Sequence, residues 1–244
     1  MTDPVVAGLV GVDLGPGVRA GFTGPGNLSR SVGDQEGVLG RRRALARWAG
    51  APVAYAWQVH GRRVHVVTGP AEVPDDGPVA QADALVTTGA RVALAVLVAD
   101  CVPVLLADGA AGVVAVAHAG RAGVAADVVG ATVEVMARQG ADLARLRAVV
   151  GPAVCGRCYE VPAALRDEVG STVPEAVATT SWGTPALDLP RAVAAQLRAA
   201  GVPSVVTSGG CTLEDRRWFS HRGSAADTMR PPGRFAGVVR ALAG

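Results

Sequence analysis

With 244 residues and no linker rich in proline, serine or charge, the chain has the size of one large domain, and we expect a single domain over residues 1–244. All 23 basic residues are arginine and 21 acidic residues nearly balance them, so the net charge of +2 excludes the strongly basic class of nucleic-acid-binding proteins. Half of the residues are hydrophobic but only 4% are aromatic, which favours Val-, Ala- and Leu-rich sheets covered on both faces over a helical bundle.

The start of the chain and its cysteines indicate a cytoplasmic protein. The first ten residues have no basic segment before an apolar one, and Asp3 and Pro4 argue against a signal peptide. Asp100 stops the longest apolar run and His118 interrupts the next, so we expect no membrane-spanning segment. Four unevenly spaced cysteines do not form the framework of a disulfide-dependent secreted domain, so their thiols are expected to be free for metal binding or catalysis.

Apolar periodicity and turn residues predict, in chain order, strands over 19–23, 53–59, 63–68, 84–88, 92–99, 102–107, 113–117, 146–150, 204–207 and 234–241, and helices over 34–49, 123–138, 162–169 and 190–200. Strand 63–68 is predicted to follow strand 53–59 as in a hairpin, and residues 69–82 are predicted to form a loop. The gaps between the four strands from 84 to 117 are too short for crossover helices, so antiparallel or mixed pairing is expected. This order favours an α+β fold in which mixed sheets are layered with helices.

Three predicted strands end in a side chain that can bind a metal or carry a proton. These side chains are His60, which precedes a glycine, Cys101, which follows Asp100, and His118, which begins a Gly-rich turn. Because active sites collect at the carboxyl ends of strands in sheets covered by helices, we expect strands 92–99 and 113–117 to be neighbours and to present the thiol and the imidazole together. Two imidazoles and one thiolate would form a catalytic zinc site with a fourth position open to water or substrate.

The same residues also have a packing interpretation. A single cysteine after an apolar strand is most often a small buried hydrophobe, and the long separations between the three residues match no compact zinc signature. What favours a site is the repetition, since two of the four histidines occupy the same Gly-adjacent position at a strand end. His65 lies within a predicted strand and is interpreted as structural.

A second cysteine motif, Cys155-Gly156-Arg157-Cys158, follows Gly151-Pro152. A redox pair would need a thioredoxin-like context, and a four-cysteine zinc site would need a second pair of cysteines. Only Cys211 remains, so packing near a turn is the favoured interpretation.

The turn Gly120-Arg121-Ala122-Gly123 precedes a predicted helix. Its free N–H groups, together with the Arg121 guanidinium, could bind phosphate, although a tight strand-to-helix turn explains the glycines equally well. A phosphate there would lie beside the predicted metal, which is the arrangement that a phosphorolytic enzyme requires.

Taken together, several blocks of sequence resemble the YfiH-like family. The blocks occur in family order and cover nearly the whole chain: Phe22-Thr23, Val32-Gly33-Asp34, Gln58-Val59-His60-Gly61, Ala82-Asp83-Ala84-Leu85-Val86-Thr87, Ala99-Asp100-Cys101-Val102-Pro103, Ala117-His118-Ala119-Gly120, Gly151-Pro152, Cys158-Tyr159-Glu160-Val161, Cys211-Thr212 and Phe219-Ser220-His221-Arg222. Members of this family were first labelled polyphenol oxidases or laccases and are now understood as zinc-dependent purine nucleoside phosphorylases with adenosine deaminase activity.

The resemblance implies an α/β/β/α layered sandwich. It also implies that His60, Cys101 and His118 bind the metal, with Cys101 and His118 at the catalytic centre. The implied reactions are phosphorolysis of adenosine, inosine, guanosine and methylthioadenosine and hydrolytic deamination of adenosine. The expected partners are therefore purine nucleosides and phosphate, without nucleic acid or membrane, in a monomer or a homodimer.

The chain departs from the family pattern at two segments near the expected phosphate site. The family usually has Gly-Trp-Arg-Gly where this chain has Gly120-Arg121-Ala122-Gly123, and commonly has two arginines and an aspartate where this chain has His221-Arg222-Gly223-Ser224. Substrate and phosphate are expected to bind at Gln58, Gly120, Arg121 and Arg222.

Three further functions compete with this one. In a metal-free hydrolase, His118 would lower the pKa of the Cys101 thiol and create a nucleophile. A copper-dependent polyphenol oxidase would match the older family label, but multicopper chemistry requires more imidazoles than four histidines provide. A non-catalytic binding protein would bind nucleoside without turning it over.

Overall fold

The computed structural model describes residues 4–208 and 210–243. Its strands, numbered in chain order, are β1 Val10–Gly11, β2 Val18–Phe22, β3 Val53–Tyr55, β4 Val64–Val67, β5 Ala84–Thr88, β6 Ala93–Val98, β7 Val102–Asp108, β8 Val113–Ala119, β9 Arg147–Val150, β10 Val177–Thr179, β11 Pro185–Leu187, β12 Ser204–Thr207 and β13 Phe235–Ala241. Its helices are α1 Pro4–Ala7, α2 Val38–Ala49, α3 Arg121–Ala125, α4 Val128–Arg138, α5 Ala163–Thr172, α6 Leu189–Ala199 and α7 His221–Ala226, with single 3-10 turns at Pro70–Glu72, Leu143–Arg145 and Pro174–Ala176.

Two mixed sheets lie face to face between helices. The first sheet has the order β1-β2-β13-β6-β3 and the second has the order β12-β9-β7-β8-β5-β4. One apolar cluster joins their facing surfaces, α2 covers the outer face of the first sheet, and α4 and α6 cover the outer face of the second. This arrangement confirms the predicted α+β class and the α/β/β/α order of layers.

Strand β8 shows why its sequence is almost continuously apolar. Val114 and Val116 pack between the two sheets, whereas Ala115 and Ala117 pack against the helices, because successive side chains point to opposite faces of a strand. All seven residues of β8 are buried. Because both faces of β8 are buried, neither face needs polar residues, and this explains why the strand consists almost entirely of Val and Ala.

Two predictions about strand neighbours are wrong. Strands β3 and β4 do not form a hairpin, because β3 pairs in parallel with β6 in the first sheet and β4 pairs in parallel with β5 in the second. Strands β6 and β8, expected to be neighbours, lie in different sheets. The short gaps from β5 to β6 and from β6 to β7 carry the chain from one sheet to the other and back.

The predicted helix over 123–138 is two helices. Asp127 lies between them with φ 58°, in the left-handed region, and its side chain accepts a hydrogen bond from the Gly130 N–H that caps α4. Helix α3 therefore begins directly after Gly120 and has only five residues. The helix predicted from residue 34 begins instead at Val38, after Gly37 with φ 71°. None of the helices in the described ranges has the length and hydropathy needed to cross a bilayer.

Candidate metal centre

The three predicted metal ligands converge on one point. Cys101 directly precedes β7, which pairs antiparallel with β8 so that Val102 lies opposite Ala119 and the thiol lies beside the end of β8 that carries His118. His60 comes from the loop between β3 and β4. The ligand atoms of the three side chains all lie within 4.8 Å of one another, and the two imidazole rings meet edge to face with centroids 4.7 Å apart. Since metal bonds to nitrogen and sulfur are about 2.0–2.3 Å long, one ion is within reach of all three.

The backbone around this cluster is strained. Among the described residues, those other than glycine with positive φ are His60 at 61°, Asp100 at 82° and Asp127 at 58°. Two of these three belong to the cluster or adjoin it, and such conformations persist only where the surrounding structure enforces them. Asp100, which directly precedes Cys101, is fixed by hydrogen bonds from the Thr212 hydroxyl (2.7 Å) and the Arg222 N–H (2.8 Å).

Asp83 links the segment that carries His60 to His118, a role that was not predicted from the sequence. Its buried carboxylate accepts hydrogen bonds from the N–H groups of His60 (2.8 Å) and Gly61 (2.7 Å), and its Oδ1 lies 2.8 Å from Nδ1 of His118. With Nδ1 directed at Asp83, Nε2 of His118 is the ring nitrogen left for a metal, which is the usual carboxylate–histidine–metal order. An acidic residue directly before the apolar run Ala84-Leu85-Val86 was the available signal.

Cys101 and His118 each shift the pKa of the other. Burial alone would raise the pKa of the Cys101 thiol, but His118 and His60 outweigh burial and lower that pKa to about 6. Burial alone would lower the pKa of His118, but Cys101 and Asp83 raise it to about 9. The protein without metal therefore holds a thiolate beside an imidazolium at neutral pH, and a divalent cation would take the place of the His118 proton.

Gly120 leaves the space that the cluster occupies. A methyl group built on its Cα would lie 2.8 Å from Cδ2 of His60 and 3.1 Å from the sulfur of Cys101. Its φ of −77° is open to any residue, so close approach rather than backbone conformation requires glycine. A role of Gly120 in binding phosphate stays a prediction, and the five-residue α3 behind it has little helix dipole to contribute.

Two arginines lie near Tyr159, which is itself within the electrostatic range of Cys101. The guanidinium of Arg222 lies 4.5 Å from the centre of the Tyr159 ring. Burial raises the pKa of Tyr159, and its phenol also lies within the electrostatic range of Cys101, Arg222 and Arg121. Both predicted phosphate-binding arginines are therefore close enough to Tyr159 to act on its charge.

Gln58 and His65 make other contacts. The side-chain amide of Gln58 donates to Leu97 O and accepts from Leu97 N–H, both at 2.8 Å, so its two polar atoms dock the His60 loop against β6. This arrangement gives Gln58 a positioning role, and its contact with substrate stays a prediction. His65 forms an ion pair with Glu72, in agreement with its structural interpretation.

Comparison with known proteins identifies the family. A family model described as multi-copper polyphenol oxidoreductase laccase matches residues 15–241. The chain belongs to this family. In fold it is similar to the Bacillus licheniformis hypothetical protein YfiH, with a TM-score of 0.80, 30% sequence identity and 93% of each chain covered. The YfiH-like resemblance is thereby confirmed.

The curated relatives of this laccase-family chain carry enzyme names. The chain is 49% identical over 231 residues to purine nucleoside phosphorylase ORF3 of Streptomyces griseus, covering 91% of this chain and 89% of the relative. It is 35% identical over 233 residues to adenosine deaminase RL5 of an unknown prokaryotic organism, covering 88% and 86%. These names support an enzyme of nucleoside chemistry, with the phosphorylase supported at higher identity than the deaminase.

Proposed function

We propose that the protein is a zinc-dependent purine nucleoside phosphorylase that acts on adenosine, inosine, guanosine and methylthioadenosine and also deaminates adenosine. The names of its relatives support nucleosides and phosphate as substrates. The observation that carries the proposal is the convergence of His60, Cys101 and His118 from three separate segments, with Asp83 behind them.

The donor set fits a catalytic zinc ion. Two imidazoles and one thiolate provide three ligands, and a fourth position is needed for substrate or water. A bound Zn²⁺ would supply a Lewis acid that polarises the substrate and activates water. His60 is exposed whereas His118 is buried, so the nucleoside would approach from the His60 side. Copper also accepts imidazole and thiolate, and elemental analysis of the purified protein distinguishes the two metals.

The residues around the metal would hold the second substrate. In phosphorolysis a phosphate oxygen forms a bond to the ribose C1′ while the bond from C1′ to the purine nitrogen breaks, and the purine leaves with a proton. Arg121 and Arg222 would bind and orient the phosphate beside the nucleoside, and the backbone at Gly120 would also contact it. In deamination, water provides the oxygen that replaces the amino group at purine C6, and ammonia leaves.

Incubation with adenosine tests the proposal. The zinc-loaded protein is expected to release adenine and ribose 1-phosphate when phosphate is present and inosine when it is absent, as followed by liquid chromatography. A chelator should stop both reactions, and added zinc should restore them. Zinc-loaded protein that forms none of these products would contradict the proposal.

Replacing Arg222 by alanine is expected to raise KM for phosphate by about tenfold or more, because a hydrogen bond to a charged group contributes about 1.5–3 kcal/mol. Deamination of adenosine, which needs no phosphate, should change much less. The matched control is Arg43→Ala, since Arg43 is an exposed arginine of α2 far along the sequence from the cluster. An equal loss in both reactions would show that Arg222 acts through packing on Tyr159 instead.

One observation favours a second candidate function. Cys101, His118 and Asp83 are arranged as nucleophile, base and orienting acid, and the pKa of Cys101 is lowered to about 6. A metal-free hydrolase of this kind would keep its activity in chelator and lose it on alkylation of Cys101.

The third candidate, a polyphenol oxidase, is not favoured by the cluster. Of the four histidines, only His60 and His118 lie in it, and two imidazoles are too few for the several coppers of such an enzyme.

A further inference from the structure

A second group of metal-binding side chains lies apart from His60, Cys101 and His118. It consists of Cys155, Cys158, Cys211 and Glu214, whose ligand atoms all lie within 4.8 Å of one another. The three cysteines are free thiols. We propose that these four residues bind a second ion, a structural Zn²⁺.

The four ligands lie on two turns, Cys155–Cys158 and Cys211–Glu214, and in each turn the two ligands are three residues apart. Cys158 N–H donates to Cys155 O at 2.9 Å, and Glu214 N–H donates to Cys211 O at 3.1 Å, so each turn presents its first and fourth residue to the same point. The turns follow β9 and β12, which pair in parallel, and the pairing continues where Thr212 N–H donates to Ala153 O at 3.0 Å. The register of the second sheet therefore fixes the two halves of the cluster against each other.

The cluster of Cys155, Cys158, Cys211 and Glu214 brings three sulfurs and a carboxylate together, which favours a bound cation. Cys158 and Cys211 are buried, and the sulfur of Cys158 lies 3.5 Å from a carboxylate oxygen of Glu214. A bound divalent cation would replace the thiol protons, because coordinated thiols are deprotonated outright.

Donor type and charge favour zinc. Three thiolates and one carboxylate complete a tetrahedral shell with no open position, which is the pattern of a structural zinc site. Such a shell carries two net negative charges. Arg157 lies 3.3 Å from the Glu214 carboxylate, and Arg198 lines the same cavity of about 560 Å³. Glu214 is exposed, so the ion can enter from solvent.

The ion would join two segments that each contact the candidate metal centre. Tyr159, next to Cys158, lies against Arg222, and Thr212, next to Cys211, donates its hydroxyl hydrogen bond to Asp100. Asp100 directly precedes Cys101. The second ion would therefore stabilise the wall of the first site without touching substrate.

Metal content tests the proposal independently of activity. The wild-type protein, purified under reducing conditions with zinc supplied, is expected to contain two zinc ions per chain. The Cys101→Ser variant and the Cys155→Ser/Cys158→Ser variant should each contain one. After cobalt substitution, the sulfur-to-cobalt charge-transfer absorbance of the double variant should fall to about half or less, since at least two of the four thiolate ligands are removed.

Glu214→Gln keeps all the thiols, so it tests the same site even if the double variant misfolds. Its second zinc should transfer to a colorimetric chelator at a lower chelator concentration than in wild type, whereas the matched control Glu168→Gln, an exposed acid on α5, should behave as wild type. A wild-type protein with one zinc per chain that disappears in Cys101→Ser would overturn the inference. So would a Cys155–Cys158 disulfide that persists in protein freshly purified under the same reducing conditions, seen by mass as the loss of two hydrogens.

Discussion

Cys101→Ser is expected to remove zinc from the candidate metal centre and to lower kcat/KM for adenosine phosphorolysis by more than the roughly 10–100-fold that loss of an outer-shell partner costs. The reason is that the Cys101 thiol, with a pKa near 6, is a thiolate at neutral pH, whereas a serine hydroxyl of nearly the same shape stays protonated and is a poor ligand. Elemental analysis and initial rates, measured on the same preparation, check both parts.

His65→Gln provides the matched control for a lost metal ligand. His65 is a histidine that pairs with Glu72 and lies outside the cluster, so this variant should keep both zinc and activity. If Cys101→Ser contained as much zinc per chain as the wild-type protein, Cys101 would not be a ligand. If wild-type activity survived complete chelation while the variant was inactive, the thiol would be a nucleophile and the hydrolase mechanism would replace the zinc mechanism.

Asp83→Asn is expected to have the largest effect on stability. The Asp83 carboxylate is fully buried and accepts from His118 and from the N–H groups of His60 and Gly61. An amide has one accepting oxygen and directs its NH₂ group at groups that are themselves donors, so buried donors lose their partner. We expect the free energy of unfolding, measured with urea in the presence of chelator, to fall by about 3–5 kcal/mol, as when one partner of a buried ion pair is removed.

The same variant should bind zinc about 10–100-fold more weakly, because Asp83 fixes the orientation of His118. Asp75→Asn is the matched control, since Asp75 is exposed and should change stability by less than about 0.5 kcal/mol. Wild-type stability and zinc affinity in Asp83→Asn would show that the hydrogen bonds of Asp83 do not hold the cluster together.

Local patterns predicted most of the elements, and each of the errors has a physical cause. Apolar runs located β5 to β8 because these strands are buried, but burial on both faces removes the alternation that would distinguish one sheet from the other. The pairing expected between β6 and β8 was wrong for this reason. The hairpin expected between β3 and β4 was wrong because closeness along the chain does not decide which sheet a strand joins. The helix predicted across Asp127 is two helices in the structure, because the Asp127 side chain caps the start of α4. Hydrophobic periodicity does not reveal such a cap.

The sequence by itself determined which side chains have the chemistry for a metal centre: His60, Cys101 and His118 follow predicted strands and stand beside glycines or a turn. Only the tertiary structure decided that Asp83 holds the two histidine segments and that Cys211 completes a cluster with the Cys155 motif. The physical reason is that hydrophobic periodicity reports the burial of each segment, whereas the meeting of segments far apart in the chain depends on which strands pair and in which register. Those pairings are set by the packing of two whole sheets, and no local pattern contains them.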